Sequence, residues 1–211
     1  MKKVLIVKAN NRPASEGVSS KMYETFAANL KGVEVSTFDV FAEDMPYFGQ
    51  EFFDAFGRAQ AGTLTAEDQR RLGAKQKAMD ALTAADVVVF AFPLWNLTIP
   101  AALQTFIDYT YQAGYSFKYN EQGQLVPLLT DKKAIFLNAR GGVYSAPEAA
   151  PMEMAVNYMR NVVGGVFGCQ IIDEVIIEGH NASPAQAEAI VAAGLEQVKA
   201  AAEKLSVAAT V

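Results

Sequence analysis

Val87-Val88-Val89-Phe90-Ala91-Phe92 is an unbroken apolar run between Asp86 and Pro93. It is far too short to cross a membrane, and a run without polar alternation suits a strand covered on both faces. Similar runs recur on either side. Upstream lie Val4-Leu5-Ile6-Val7 and a weaker β-rich stretch over residues 33–40. Downstream lie Ala134-Ile135-Phe136-Leu137, then Ile171-Ile172 with Val175-Ile176-Ile177. The intervening segments read as helices. Residues 19–30 carry Met22, Phe26 and Leu30 at spacings of four. Thr65 and Asp68 form an N-cap signature for a helix running towards Thr83. Pro100 suits a first helical turn. A fourth helix is expected over residues 152–163, and a fifth from Ser183-Pro184 to about Leu205. The alternation predicts an α/β fold, a doubly wound five-stranded parallel sheet with helices on both faces. The strand order 2-1-3-4-5 follows by analogy with such sheets.

Composition fits one soluble globular domain over residues 1–211: the chain is 51% hydrophobic and 19% charged. Its net charge of -5, with no cationic cluster, gives no electrostatic reason to bind nucleic acid. The single cysteine, Cys169, excludes an intrachain disulfide and reads as a small buried hydrophobe. The single histidine, His180, follows Glu178-Gly179 in a stretch that reads as a loop, a surface or loop residue without the companions of a zinc site. No signal or membrane segment is visible, so cytoplasmic location is expected and no membrane partner. Two segments exceed ordinary connections, residues 41–64 and 114–129. Both are aromatic-rich, and either pocket wall, dimer contact or simple loop packing would account for them. The Ala/Val-rich tail after Leu205 is expected to fray.

In a doubly wound sheet, ligands bind beyond the carboxyl ends of the strands, at the switch point. The loop after the first strand, from Ala9 to Ser20, contains Asn10, Arg12, Gly17, Val18, Ser19 and Ser20 and enters a helix. A helix N-terminus with small and hydroxyl residues suits a phosphate, although Ser19 could equally be a plain cap. Neither G-x-x-x-x-G-K-[ST] nor G-x-G-x-x-G is present, which leaves a mononucleotide phosphate. The loop after the third strand, Pro93-Leu94-Trp95-Asn96-Leu97, offers apolar surface for a flat ring, with Asn96 at its edge. The loop after the fourth, Asn138-Ala139-Arg140-Gly141-Gly142, exposes backbone donors and acceptors.

These residues resemble the FMN-dependent NADH-azoreductases, relatives of the flavodoxin-like quinone reductases. The likeness is carried by Val4-Leu5-Ile6-Val7-Lys8-Ala9-Asn10, by Pro93-Leu94-Trp95-Asn96-Leu97-Thr98-Ile99-Pro100-Ala101 and by Arg140-Gly141-Gly142. Phe106-Ile107-Asp108 and Phe117-Lys118-Tyr119 add to it. The resemblance implies a flavodoxin-like fold binding FMN, with NADH as electron donor and quinones or azo compounds as acceptors. Asn10 and Gly17-Val18-Ser19 would hold the phosphate. Pro93, Leu94, Trp95, Asn96 and Leu97 would lie along the flavin ring, and Asn138, Ala139, Arg140, Gly141 and Gly142 at its pyrimidine edge. It further implies a homodimer with the flavin near the interface, and Phe117, Tyr119 and Tyr144 in the substrate pocket. Relatives with a Ser-x-Ser turn differ from Gly17-Val18-Ser19, so backbone N–H groups must act at 17 and 18. Some relatives carry histidine where Tyr144 stands.

No catalytic side chain is expected, because the flavin N5 would carry hydride from NADH to the acceptor in a ping-pong cycle. No catalytic triad is visible, and His180 belongs to a different loop from those assigned to the site. The alternatives are an FMN electron carrier without NADH turnover and a flavin-free binding module.

Overall fold

In the computed structural model, which describes residues 1–207, five parallel strands form the central sheet. They are β1 (Lys3–Lys8), β2 (Glu34–Asp39), β3 (Val87–Pro93), β6 (Lys133–Arg140) and β7 (Gln170–Glu178). Their order is β2-β1-β3-β6-β7. This is the expected 2-1-3-4-5 once the separate hairpin of β4 (Phe117–Tyr119) and β5 (Leu125–Pro127) is set aside. Every residue of β3 is buried, as are the seven residues after Lys133 in β6. A fully buried Val, Ile or Phe side chain contributes roughly 1.5–3 kcal/mol, so these central strands hold much of the apolar driving force.

Two cores form because the sheet is covered on both faces. On one face Val4, Ile6, Val89 and Ile135 pack under α1 (Val18–Asn29) and α6 (Ala187–Val207). On the other Leu5, Val88, Phe90 and Phe136 meet α3 (Ala66–Ala84), α4 (Ala101–Thr110) and α5 (Val156–Met159). The alternation of neighbours such as Val88 and Val89 between faces follows from the strand period of two. Cys169 is buried as expected, and burial pushes its thiol up to about 11. Fraying is expected after Leu205, but α6 runs on through Val207; the remainder of that tail, residues 208–211, lies outside the described residues.

The structure corrects three boundaries. Residues 41–64 are not a long loop, since they contain α2 (Gln50–Ala61). Phe48, Phe52 and Phe56 recur every four residues and their rings meet, with Phe48 and Phe52 stacked at 4.8 Å. Residues 114–129 contain the β4–β5 hairpin. The fourth helix begins at Val156 rather than at 152, because Ala150–Met152 is a separate short turn and Glu153 accepts the N–H groups of Ala155, Val156 and Asn157. It continues as wider π-helical turns over Arg160–Val166.

The Thr65–Asp68 signature forms a complete capping box. Thr65 Oγ1 accepts from the Asp68 N–H, and Asp68 accepts from the Thr65 N–H. Asp68 also receives two bonds at 2.7 Å from Arg58 of α2, so one carboxylate joins two helices. The Arg58 guanidinium and Thr65 together hold its pKa far below the usual carboxylate range. Thr65→Ala should therefore lower stability by about 1 kcal/mol, seen as a melting shift of roughly 2–4 °C. Calorimetry checks this, and an unchanged midpoint would show that the box adds nothing.

Candidate functional site

Strand register decides where the chain gathers its loops. Lys8 pairs with Ala91 and Pro93 with Ala139, so β1, β3 and β6 end almost level at the carboxyl edge. Two bonds extend the pairing past the strands: Ala9 N–H donates to Ala91 O at 2.9 Å, and Leu94 N–H to Ala139 O at 2.8 Å. The loops after these strands, and the loop after β7, enclose a cleft of about 400 Å3. Its walls include Asn10, Arg12, Gly17, Ser19, Leu94, Trp95, Ala139 and Gly141, together with His180 and Asn181.

The first loop is tied down by its own side chains. Buried Asn10 donates from Nδ2 to Ser19 Oγ at 2.8 Å, and its Oδ1 accepts the Arg12 N–H at 2.9 Å. Ser20 Oγ donates to the Arg12 carbonyl at 2.7 Å. Asn10 thus shapes the loop, while the Ser19 hydroxyl accepts from Asn10 and keeps its own proton to donate. Ser19 is not the cap. Gly17 occupies that position, in extended conformation and without a side-chain cap bond. The first-turn N–H groups of α1 are therefore offered to the cleft with the partial positive charge of a helix start. A Cβ on Gly17 would lie 3.0 Å from Asn10 Nδ2 and 3.2 Å from Ser20 Oγ, so close packing of the loop selects glycine here. Arg12 is half exposed and 3.6 Å from Glu16.

The third-strand loop turns back on itself. Trp95 N–H donates to Thr98 O and Thr98 N–H to Trp95 O, closing a four-residue turn. Its central residues are left-handed, Asn96 at φ 51° and Leu97 at φ 71°. Asparagine tolerates this region, but for leucine it costs on the order of 1–2 kcal/mol. The strain is held by the two turn bonds and by Met154 N–H, which donates to Leu97 O at 3.0 Å. Strain of this kind concentrates at functional loops. Trp95 separates the cleft from a second, more apolar groove of about 770 Å3. Asn96 opens onto that groove beside Phe41, Tyr47 and Ile99.

The fourth-strand loop is held from below and from the side. Asn138 is fully buried, and its Nδ2 donates to Phe92 O while Oδ1 has no partner among the described residues. The Arg140 side chain does not face the cleft. It is buried between Glu178, 3.0 Å from Nε, and Glu153 at 3.7 Å, with the Tyr144 ring 5.9 Å from its guanidinium carbon. Burial would raise the Glu178 pKa, but the Ser145 hydroxyl, the Tyr144 and Ser145 N–H groups and Arg140 together lower it. That carboxylate thereby clamps the loop. Gly141 O receives the N–H groups of both Asn181 and Ala182. A Cβ on Gly141 would stand 2.3 Å from Asn181 Nδ2.

Several expected residues fall elsewhere. Phe117 is buried against Tyr111, which also meets Phe167, and Tyr119 is 62% exposed on the hairpin. Tyr111 closes α4 at the end opposite the cleft, roughly 15 Å from the helix start. Neither residue therefore enters the cleft of its own chain. Val18 and Pro93 line it; Leu97 and Gly142 belong to its loops, and Tyr144 packs beside Gly142. His180, read from the sequence as a surface or loop residue on a different loop from the site, does lie in a loop, but that loop lines the cleft. The signal was available, because the segment follows the last strand directly and shares its carboxyl edge with the other loops.

Two outcomes test this geometry. Gly141→Ala should lower the melting midpoint while leaving the far-ultraviolet spectrum intact, and adding Asn181→Gly should restore most of the loss; a melt that finds no rescue contradicts the steric account. Asn96→Ala should melt below Asn96→Gly by about 1 kcal/mol, since only alanine is penalised by a left-handed φ. Equal midpoints for the two variants would show that the turn is not strained at this position.

The model of the family described as having a flavodoxin-like fold matches residues 2–202. An FMN-dependent NADH:quinone oxidoreductase of Bacillus cereus is 47% identical over 209 residues, covering 97% of this chain and all of that protein. The crystal structure of an azoreductase from Bacillus anthracis is also 47% identical, with a TM-score of 0.88 over 97% of this chain and all of that one. An FMN-dependent NADH-azoreductase of B. anthracis, crystallised with FMN, is only 22% identical yet reaches a TM-score of 0.86 over 98% of this chain and all of its own, a likeness of fold. Strand order, loop placement and full-length identity agree, and the chain belongs to the flavodoxin-like family that contains the FMN-dependent NADH:quinone oxidoreductases and azoreductases.

Proposed function

We propose that this chain is a single flavodoxin-like domain that binds FMN and transfers electrons from NADH to quinones and azo compounds. The observation that carries the reading is the convergence of four loops on one cleft, with an uncapped helix start at one end and apolar Leu94 and Trp95 beside small Ala139 and Gly141 at the other. That arrangement fits the cofactor: a phosphate meets the N–H groups of α1 and the Ser19 hydroxyl, and a planar ring meets the apolar walls. Gly141, where added side-chain volume collides with Asn181, leaves backbone amides bare for the ring edge. Full-length identity to named oxidoreductases supports the same reading.

FMN, when bound, accepts a hydride from NADH and passes two electrons to the acceptor. The protein's part is positional and electrostatic. Leu94 and Trp95 present apolar surface that excludes water from one side of the ring. Backbone N–H groups of the 139–142 loop, fixed by the Glu178 clamp and by the bonds to Gly141 O, favour negative charge that develops at the ring edge. No side chain is assigned a nucleophilic or acid–base role.

We assign Tyr119, held on the hairpin over buried Phe117, and the apolar groove beside Trp95 to a homodimer in which one protomer completes the acceptor pocket of its partner. Exposed Tyr119, Tyr47 and Tyr111 support this, since large aromatics are enriched at interfaces. NADH is a cytoplasmic reductant, and we assign the protein to that compartment. Among the described residues no helix is long and apolar enough to cross a membrane.

Anaerobic mixing with NADH tests the activity. The flavin absorbance should bleach within a second or so, and steady-state rates against quinone and NADH should give parallel double-reciprocal lines. A flavin that stays oxidised would leave an electron carrier without NADH turnover.

A further inference from the structure

The only histidine of the chain has no task in the mechanism above. His180 lines the same cleft as Asn10, Arg12, Gly17 and Ser19. Its loop is rigidly placed. Gly179 N–H donates to both Arg140 O and Gly142 O, and the next two residues donate to Gly141 O. The ring is half-buried and its Nδ1 is buried without a partner among the described residues. An atom sealed from solvent cannot itself meet a ligand, so a ligand in the cleft meets the ring at its Nε2 edge.

We infer that the imidazole of His180 is a direct ligand of the FMN phosphate, donating a hydrogen bond within the cleft. The inference rests on the proposed function and adds a residue to the same site. Its charged surroundings favour this role. Lys21 on α1 and Arg12 on the first loop supply positive charge, offset by Glu16, which faces Arg12. Glu178 precedes the loop but is engaged by Arg140, Ser145 and Tyr144. Burial, with Lys21 adding to it, lowers the His180 pKa from its usual value, so without an anion the ring is neutral at pH 7. A phosphate reverses the balance of charge, so binding it should be linked to uptake of a proton.

Because the chain holds one histidine, its imidazole gives a single set of nuclear magnetic resonance signals. These are followed from pH 5 to 9 in protein loaded with FMN and in protein loaded with riboflavin, which lacks only the phosphate. The imidazole should hold its proton at least about tenfold more tightly with FMN than with riboflavin, a difference of one pKa unit. The phosphorus resonance of bound FMN should show a step at the imidazole's midpoint in wild type, and in His180→Gln that step should be lost, leaving only the phosphate's own ionisation. His180→Ala should weaken FMN roughly tenfold, as expected for loss of a charge-assisted bond, and leave riboflavin affinity unchanged. Equal imidazole titration with the two flavins overturns the inference while leaving the FMN assignment standing. A protein that takes up neither flavin overturns the assignment of FMN itself.

Discussion

Everything in the site depends on strands of a parallel sheet ending level. Because Lys8 pairs with Ala91 and Pro93 with Ala139, the loops leave adjacent strands at nearly the same height. Neighbouring strands are about 4.8 Å apart, so three consecutive positions across the sheet span the width of a small aromatic cofactor. The bonds Leu94 N–H to Ala139 O, and Asn181 and Ala182 N–H to Gly141 O, carry that alignment beyond the strands into the loops. Slipping one strand by a residue would exchange its two faces. It would also misalign the cleft, so core packing and site geometry are one constraint.

The loops are then held by polar groups that the protein spends on itself. Asn10 uses both ends of its amide to join Ser19 and Arg12. Arg140 and Glu178 meet beneath the 141–144 segment, where Glu178 also takes the Tyr144 and Ser145 N–H groups. What remains for a ligand is mostly backbone: the first turn of α1 and the amides around Gly141. Backbone donors fixed in this way need no reorganisation when charge appears near them. The left-handed pair Asn96 and Leu97 stores strain in the remaining loop, where Asn96 borders the apolar groove.

Much of this is legible from residue order. The apolar runs at 4–7, 87–92 and 134–137 are each buried on both faces, and continuous hydrophobicity is what that burial demands. The Thr65–Asp68 box is legible because capping is local chemistry. Helix α2 was hidden inside the aromatic-rich 41–64 segment, although Phe48, Phe52 and Phe56 carry a helical period. In the site, the cleft-lining Asn10, Gly17, Ser19, Leu94 and Gly141 could be named from their place after strands. The direction of Arg140 could not, because its partners Glu153 and Glu178 lie on other elements and the pairing is tertiary. His180 is legible only from the sheet, because its loop follows the last strand and reaches the same carboxyl edge as the other three.

The central claim is that the four carboxyl-end loops close on one phosphorylated planar ligand. Amide hydrogen exchange with and without FMN measures this directly, because backbone donors that gain a partner exchange more slowly. Protection should rise at residues 10–20, 93–98, 138–144 and 178–182 and nowhere else on that sheet edge. Exchange unchanged in those four segments, or protection centred at the amino ends of the strands, would contradict the account.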